Sequence, residues 1–313
     1  MKVAILICIC ILSCKEAKLQ NNDKNLNIYN EIWKELTNNF FDQKKILYHK
    51  DKSYEAYKEK VLRSDTREEF VSTVNQLFNS FKCSHLRLFS KKESATTNQI
   101  QKQKSAGKKY KINNKIEVNI IFDTTTIVPK VGLIRLNIFA DPIYLLPKFR
   151  NTLKQFSAYK GIIIDIRNNP GGNLLIVSSI LQCFFSNVET IAYLKSQNSD
   201  TPITLNSPKP IFNKKIAVLI NQYCQSGAEL FAAVLQEFNK AKLFGSRTSG
   251  AVLLANIKPL SDEYILEYPY AEIITSKGKK IEGTGVLPNY QIENINNKDT
   301  DAVIDAAIKW IIN

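Results

Sequence analysis

The chain has 313 residues, 44% hydrophobic and 23% charged, which is typical of a folded protein with one large or two modest domains. Its 43 lysines and arginines exceed the 29 aspartates and glutamates, which gives a formal net charge of +14. The basic residues are dispersed, often beside asparagine, and no aromatic-studded basic stretch or nucleic-acid motif is present. We therefore expect a solvated basic surface and no nucleic-acid partner.

The N-terminus resembles an export signal. Met1 and Lys2 precede an apolar run over Val3–Leu12 that is too short to span a bilayer as a stable helix. The run ends in Ser13-Cys14, which resembles the bacterial lipoprotein cleavage box, with Cys14 as the acylated first residue of the mature chain. We expect residues 1–14 to form a lipoprotein-type signal and the protein to be lipid-anchored in the cell envelope, on the periplasmic or surface side of a bacterial membrane. The alternative is an ordinary signal peptide with a chance cysteine.

The remaining chain divides by pattern into three parts. Helical spacing of apolar residues predicts a small helical region over 24–90, and a stretch rich in Lys, Gln, Ser and Thr predicts a linker or mobile loop over 91–110. Over 111–313, buried-strand patterns alternate with helical ones, which predicts an α/β core with helices on both faces of a sheet. Without a C-x-x-C pair, and with only two histidines, the chain offers no pattern for a metal site or a cofactor.

Two strand-to-helix turns of the core carry candidate chemistry. The strand 161–166 runs into Asn169-Pro170-Gly171-Gly172, whose glycines can present backbone N–H groups to an anionic oxygen or can simply form a connection. The strand 216–220 leads to Ser226-Gly227-Ala228-Glu229 at a helix start. Ser226 there is either a nucleophile beside free N–H donors or the serine of a capping box.

A serine nucleophile needs a base, and few candidates exist. His85 follows an amphipathic helix and enters a predicted strand, whereas His49 lies in a charged run and reads as a solvated surface residue. Cys224 is a weaker rival nucleophile, because it precedes the helix start and the Gly227 donor.

Four motifs in one order resemble the C-terminal processing (tail-specific) serine peptidase family. They are 161–172, 221–229, Phe244-Gly-Ser-Arg-Thr-Ser-Gly250 and Ile281-Glu-Gly-Thr-Gly-Val-Leu-Pro288. The resemblance implies an α/β spiral core akin to crotonase and Clp protease, with Ser226 as nucleophile, peptides or proteins as substrates, and an oxyanion hole of Gly171 or Gly172 together with Gly227.

The resemblance favours the tricorn-type branch of the family. The bacterial tail-specific branch uses a lysine base, and the matching position here is Ala251, with Lys242 and Lys258 out of register. In the tricorn-type branch an adjacent Ser-His pair precedes the core and a later Glu completes a tetrad, which implies Ser84, His85 and Glu282 here.

One departure concerns substrate capture. Residues 86–130 are too few for the complete PDZ domain that members often carry, so tethering of a free C-terminus does not follow. The alternative function is a non-catalytic binding protein on the same fold.

Overall fold

The chain divides into two compact units in the computed structural model. The model describes residues 2–91, 108–112, 116–292 and 301–313, with side chains at 21–91, 120–292 and 301–313. Unit 1 comprises Met1–Ile100 and Ala255–Ala271, and unit 2 comprises Gln101–Leu254 and Glu272–Asn313. The first division falls inside the predicted linker over 91–110. The return of 255–271 to unit 1 corrects the prediction of an uninterrupted core over 111–313.

Among the described residues, unit 1 contains three helices, which overlap the helical region predicted over 24–90. They are α1 (Lys2–Asn39), α2 (Gln43–Leu62) and α3 (Arg67–Asn79). The sequence fixes where α3 begins, because Thr66 accepts from the N–H of Glu69 and the Glu69 carboxylate accepts from the N–H of Thr66. Their apolar faces form one core that includes Tyr29, Trp33, Leu36, Phe40, Phe70, Val74, Leu77, Phe78 and Phe81.

The strands of unit 1 explain why 255–271 joins it. Strand β1 (Arg87–Ser90) pairs antiparallel with a strand over Tyr264–Thr275, so that Arg87 lies opposite Glu267. The side chains that enter the helical core from this second segment are Leu260, Tyr264, Leu266 and Tyr268. Because the pairing joins strands about 180 residues apart, no local pattern could have predicted it.

In the described part of the chain, unit 2 contains a six-stranded sheet. Its strands are β4 (Phe122–Val128), β5 (Val131–Leu136), β6 (Gly161–Asp165), β9 (Lys215–Ile220), β10 (Lys242–Gly245) and β13 (Tyr290–Gln291). Their order across the sheet is β13-β10-β9-β6-β5-β4.

Further strands pair antiparallel: β2 (Lys108–Ile112) with β3 (Ile116–Ile120), and β7 (Asn187–Ser196) with β8 (Asp200–Ser207). Strand β2 begins at Lys108, so the linker predicted over 91–110 extends too far toward the C-terminus. Strand β11 spans Leu254–Pro259, and the strand over Tyr264–Thr275 is β12.

Helices cover both faces of this sheet, as the buried-strand patterns predicted. They are α4 (Pro142–Gln155), α5 (Leu174–Leu181), α6 (Gly227–Glu237) and α7 (Ala302–Ile312). Because side chains alternate along a strand, Ile162 and Ile164 of β6 pack with α4, α5 and α6, whereas Ile163 packs with α7. The adjacent strands β5, β6 and β9 are parallel, so they all end at the same edge of the sheet.

No helix within the described residues is long and apolar enough to cross a membrane.

Candidate active site

The two predicted turns of unit 2 meet at the carboxyl ends of β6 and β9. A Cβ atom placed on Gly171 would lie 2.6 Å from the nitrogen of Gly227 and 2.9 Å from the Cβ of Ser226. One placed on Gly227 would lie 3.5 Å from the nitrogen of Gly172. Because β6 and β9 are parallel neighbours, the residues that follow them are brought together from positions 55 apart in the chain.

Ser226 sits in a strained corner immediately before α6. Its φ is 52° and its ψ is −121°, a region that residues with a side chain rarely occupy. The Ser226 N–H donates to the carbonyl of Ala251 (2.8 Å) and to the Glu229 carboxylate (3.2 Å). These bonds hold the backbone in a conformation that the sequence alone would not favour.

The capping box predicted at Ser226 is present at the start of α6. The Ser226 N–H donates to the Glu229 carboxylate at 3.2 Å, and the N–H of Glu229 donates to the carbonyl oxygen of Ser226 at 2.9 Å. In a capping box the serine hydroxyl oxygen acts as an acceptor, so its O–H proton is still available for transfer to a base. The capping and nucleophile interpretations of Ser226 are therefore compatible.

The three glycines predicted to form the oxyanion hole differ in whether their N–H groups already form a hydrogen bond. The N–H of Gly171 donates to Oδ1 of Asn169 at 2.8 Å, so the prediction that Gly171 could serve as an oxyanion donor is corrected. Within the described residues, the N–H groups of Gly172 and Gly227 form no hydrogen bond. Gly227 is the first residue of α6, where an N–H has no partner inside the helix. Gly172 and Gly227 thus leave two N–H donors near Ser226 that no group among the described residues uses.

Glu229 organises the loop beside Ser226, a role that the sequence did not indicate beyond capping. Its carboxylate is fully buried and accepts from the Thr248 hydroxyl (2.5 Å) and from the N–H groups of Gly250 (2.7 Å) and Ala251 (2.8 Å). Burial raises the pKa of Glu229, and the hydrogen bonds from Thr248 and the backbone oppose that rise. The carboxylate therefore ties the loop 248–251 to the start of α6.

Ala251, the position that matches the lysine base of the bacterial tail-specific branch, lies beside Ser226 and has no basic side chain. Ala251 contacts the Ser226 N–H through its carbonyl oxygen, but its methyl side chain cannot accept a proton. Both histidines of the chain belong to unit 1. An imidazole base would thus be one of these two residues.

His85 of unit 1 is held by a carboxylate through one ring nitrogen. Its Nδ1 lies 3.0 Å from Oε1 of Glu267 on β12, and the side chain is 23% exposed. Its Nε2 is buried without a hydrogen-bond partner among the described residues. The backbone of His85 has a left-handed φ of 57°, so the residue is strained like Ser226.

The contact with Glu267 corrects the role expected of Glu282. The resemblance implied Glu282 as the carboxylate of the tetrad, but the carboxylate on Nδ1 of His85 is Glu267, which entered no sequence motif. Glu282 lies in unit 2, where it accepts from the N–H of Val252 at 2.9 Å, one residue after Ala251. Ser84 is half-buried beside His85 in the chain. Only the pairing of β1 with β12 could have pointed to Glu267.

The other nucleophile and base candidates are poorly placed. Cys224 is fully buried, its thiol donates to the carbonyl of Ile166 at 3.0 Å, and burial raises its pKa to about 11. His49 is half-buried and stacks on Phe81 with ring centroids 3.9 Å apart, so the prediction of a solvated surface residue is wrong. Burial, followed by the charge of Lys45, lowers the pKa of His49. Cys14 lies in the part of α1 whose side chains are outside the described set.

The described residues contain no cluster of three or more His, Cys, Asp or Glu side chains that could hold a metal ion.

The model of peptidase family S41 matches residues 130–292, just over half of the chain, and covers both turns and the loop 248–251. The chain belongs to peptidase family S41. The resemblance to C-terminal processing peptidases is therefore confirmed.

Over 166 residues the chain is 30% identical to a probable CtpA-like serine protease of Staphylococcus aureus (strain N315). The aligned stretch covers 52% of this chain and 34% of that protein. The chain thus spans about a third of the length of this curated relative.

Two solved structures show that the fold is that of S41 peptidases, as expected for an α/β core. The photosystem II D1 C-terminal processing protease matches with a TM-score of 0.60 at 14% identity, covering 86% of this chain and 93% of its own. The tricorn protease matches with a TM-score of 0.64 at 18% identity, covering 93% of this chain and 37% of its own.

Proposed function

We propose that this chain is a serine-type endopeptidase in which Ser226 attacks the peptide bond and His85 is the general base. The observation that carries the proposal is the strained corner at Ser226, which adjoins the N–H groups of Gly172 and Gly227, two donors that form no hydrogen bond among the described residues. Membership of family S41 supports the same reaction class. Peptides or proteins are the proposed substrates, and the reaction as proposed requires no cofactor.

The proposed reaction begins with transfer of the Ser226 proton. Nε2 of His85 takes the hydroxyl proton as Oγ forms a bond to the scissile carbonyl carbon. The carbonyl oxygen becomes an oxyanion, which accepts hydrogen bonds from Gly172 and Gly227. His85 then gives its proton to the leaving amine, and water hydrolyses the resulting acyl-Ser226 ester by the same steps.

Ser84 and Glu282 complete the proposal. Following the tricorn-type resemblance, Ser84 would support the network by hydrogen bonding. Glu282 would contribute a second carboxylate from unit 2, where it accepts from the N–H of Val252, the residue that follows Ala251. Neither residue is assigned a proton transfer.

The first prediction tests the nucleophile and the base. Ser226→Ala should lower peptide hydrolysis by ~10³-fold or more while the fold is retained, and a fluorophosphonate probe should label Ser226 in the wild type but not in His85→Ala. Ser246→Ala is the matched control, because its hydroxyl makes an exposed hydrogen bond to the Gln222 side chain. Hydrolysis that survives in folded Ser226→Ala would contradict the proposal, and absence of labelling in the wild type would favour a non-catalytic binding protein.

We further propose that the protein is exported and anchored to a bacterial membrane through Cys14. The support is the short apolar run followed by Ser13-Cys14. The second prediction is that the protein expressed in bacteria begins at a diacylglyceryl-modified Cys14, detected by mass spectrometry of the N-terminal peptide. Cys14→Ala should abolish the modification and release the protein from membranes, whereas cleavage at another residue with no lipid would refute the anchor.

A further inference from the structure

We propose that Glu267 is the positioning residue for the imidazole of His85: by accepting the Nδ1 proton, it leaves Nε2 as the proton acceptor of the ring. The inference rests on the proposed function, in which His85 is the base. It adds a carboxylate that lies outside all four sequence motifs.

The geometry around the ring supports this role. Glu267 Oε1 lies 3.0 Å from Nδ1 of His85, a distance at which the carboxylate accepts the Nδ1 proton. With the proton on Nδ1, a neutral imidazole carries its lone pair on Nε2. Nε2 is the buried ring atom that has no partner among the described residues, and a buried polar atom left unpaired calls for a functional explanation.

Strand pairing keeps Glu267 in place. In the antiparallel pair of β1 and β12, Glu267 lies opposite Arg87, and Leu88 lies opposite Leu266 with both apolar side chains buried in the core of unit 1. His85 is two residues before Arg87, at the entrance to β1. The carboxylate thus stands on a paired strand, which fixes it more firmly than a loop would.

Arg87 keeps this carboxylate charged. Its guanidinium lies 3.2–3.3 Å from Oε2 of Glu267, the oxygen that His85 does not use. Burial alone would raise the pKa of Glu267, but the hydrogen bond with His85 and the charge of Arg87 hold it below its ordinary value. An ionised Glu267 would stabilise the imidazolium that forms when His85 accepts the Ser226 proton.

The third prediction is that Glu267→Gln lowers kcat/KM by about 10- to 100-fold and moves the acidic limb of its pH profile to lower pH. The limb should move down because the imidazolium loses its carboxylate partner, an effect that a purely structural residue would not produce. Glu263→Gln is the matched control: Glu263 is also a paired carboxylate of unit 1, but it binds Arg67 and Lys24. It should leave the pH profile unchanged.

The outcomes separate the two proposals. If wild-type labelling of Ser226 depends on His85 while Glu267→Gln keeps the wild-type rate and pH profile, the inference about Glu267 is wrong and the proposed function stands. If labelling does not depend on His85, the proposed function itself fails. Should Glu267→Gln not fold, Arg87→Gln is the second test, since Arg87 is 58% exposed. It should move the acidic limb to higher pH, and an unchanged profile would overturn the inference.

Discussion

Ser226 and His85 share a backbone feature that neither sequence position suggests. Both have a left-handed φ, 52° and 57° respectively, and such conformations cost about 1–3 kcal/mol each unless the surroundings enforce them. At Ser226 the surroundings are the carbonyl of Ala251 and the carboxylate of Glu229. Strain of this kind concentrates at functional sites, which agrees with the roles proposed for the two residues.

The fourth prediction concerns the oxyanion donor proposed at Gly172. Gly172 has a φ of +133°, and a Cβ there would lie 2.2 Å from the carbonyl oxygen of Phe139. Gly172→Ala should therefore displace its own N–H and lower peptide hydrolysis per folded molecule by about 10²-fold or more. Steady-state hydrolysis, normalised to the folded fraction by circular dichroism, measures the effect.

Gly278→Ala provides the control for this change. Gly278 also has a positive φ of +83°, but a Cβ there would meet nothing within 4 Å. This variant should lose about 1 kcal/mol of stability from backbone strain and keep its hydrolysis rate. Equal rates in the two variants would exclude Gly172 from the oxyanion hole.

At the level of elements, the site is produced by two strand-to-helix units, β6 with α5 and β9 with α6, whose strands are neighbours in the sheet. Strands β6 and β9 are parallel neighbours, so the turn at Gly171-Gly172 and the start of α6 emerge at one edge of the sheet. Helix α6 is buried along residues 227–235, including Glu229, so it has little freedom to shift. The catalytic geometry proposed for unit 2 thus depends on the register of two strands.

Helix α7 lies on the opposite face of this sheet, and its N-cap residue is the ionisable Asp301. Asp301 accepts from the N–H groups of Val303 and Ile304 and pairs with Arg167 at 2.8 Å. Burial alone would raise the pKa of Asp301, but Arg167 and the helix N–H groups lower it. Because the folded pKa is depressed, this carboxylate stabilises the fold above its unfolded pKa, and the stabilisation is lost as pH falls through the folded pKa.

The fifth prediction follows from this cap. Asp301→Asn should lower the free energy of unfolding by about 1 kcal/mol at pH 7, with a difference that shrinks toward pH 3 as the wild-type carboxyl group takes up its proton. Urea midpoints at the two pH values measure it. Asp305→Asn on the same helix is the control and should change stability little at either pH, while a pH-independent loss in Asp301→Asn would mean that charge is not the cause.

At the scale of the whole molecule, the candidate residues are shared between two units. Ser226, Gly172, Gly227 and Glu282 belong to unit 2, whereas Ser84, His85 and Glu267 belong to unit 1. Unit 1 draws on two distant stretches of chain, and it is the second stretch, over 255–271, that carries Glu267. A division of the sequence into consecutive domains assigns residues 255–271 to the core, so it does not identify Glu267 as a neighbour of His85.

The sequence by itself determined the local features of this protein. They are the alternation of strands and helices, the glycine turn, the location of Ser226 at a helix start, and the presence of Ala251 where the bacterial tail-specific branch has its lysine base. These follow from periodicity and motif spacing, which act over a few neighbouring residues. Only the tertiary structure decided that the N–H of Gly171 is taken by Asn169, that Glu229 ties the loop 248–251 to Ser226, and that Glu267 lies on His85. The physical reason is that a contact such as His85 with Glu267, 182 residues apart, depends on strand pairing and side-chain packing that no local pattern encodes.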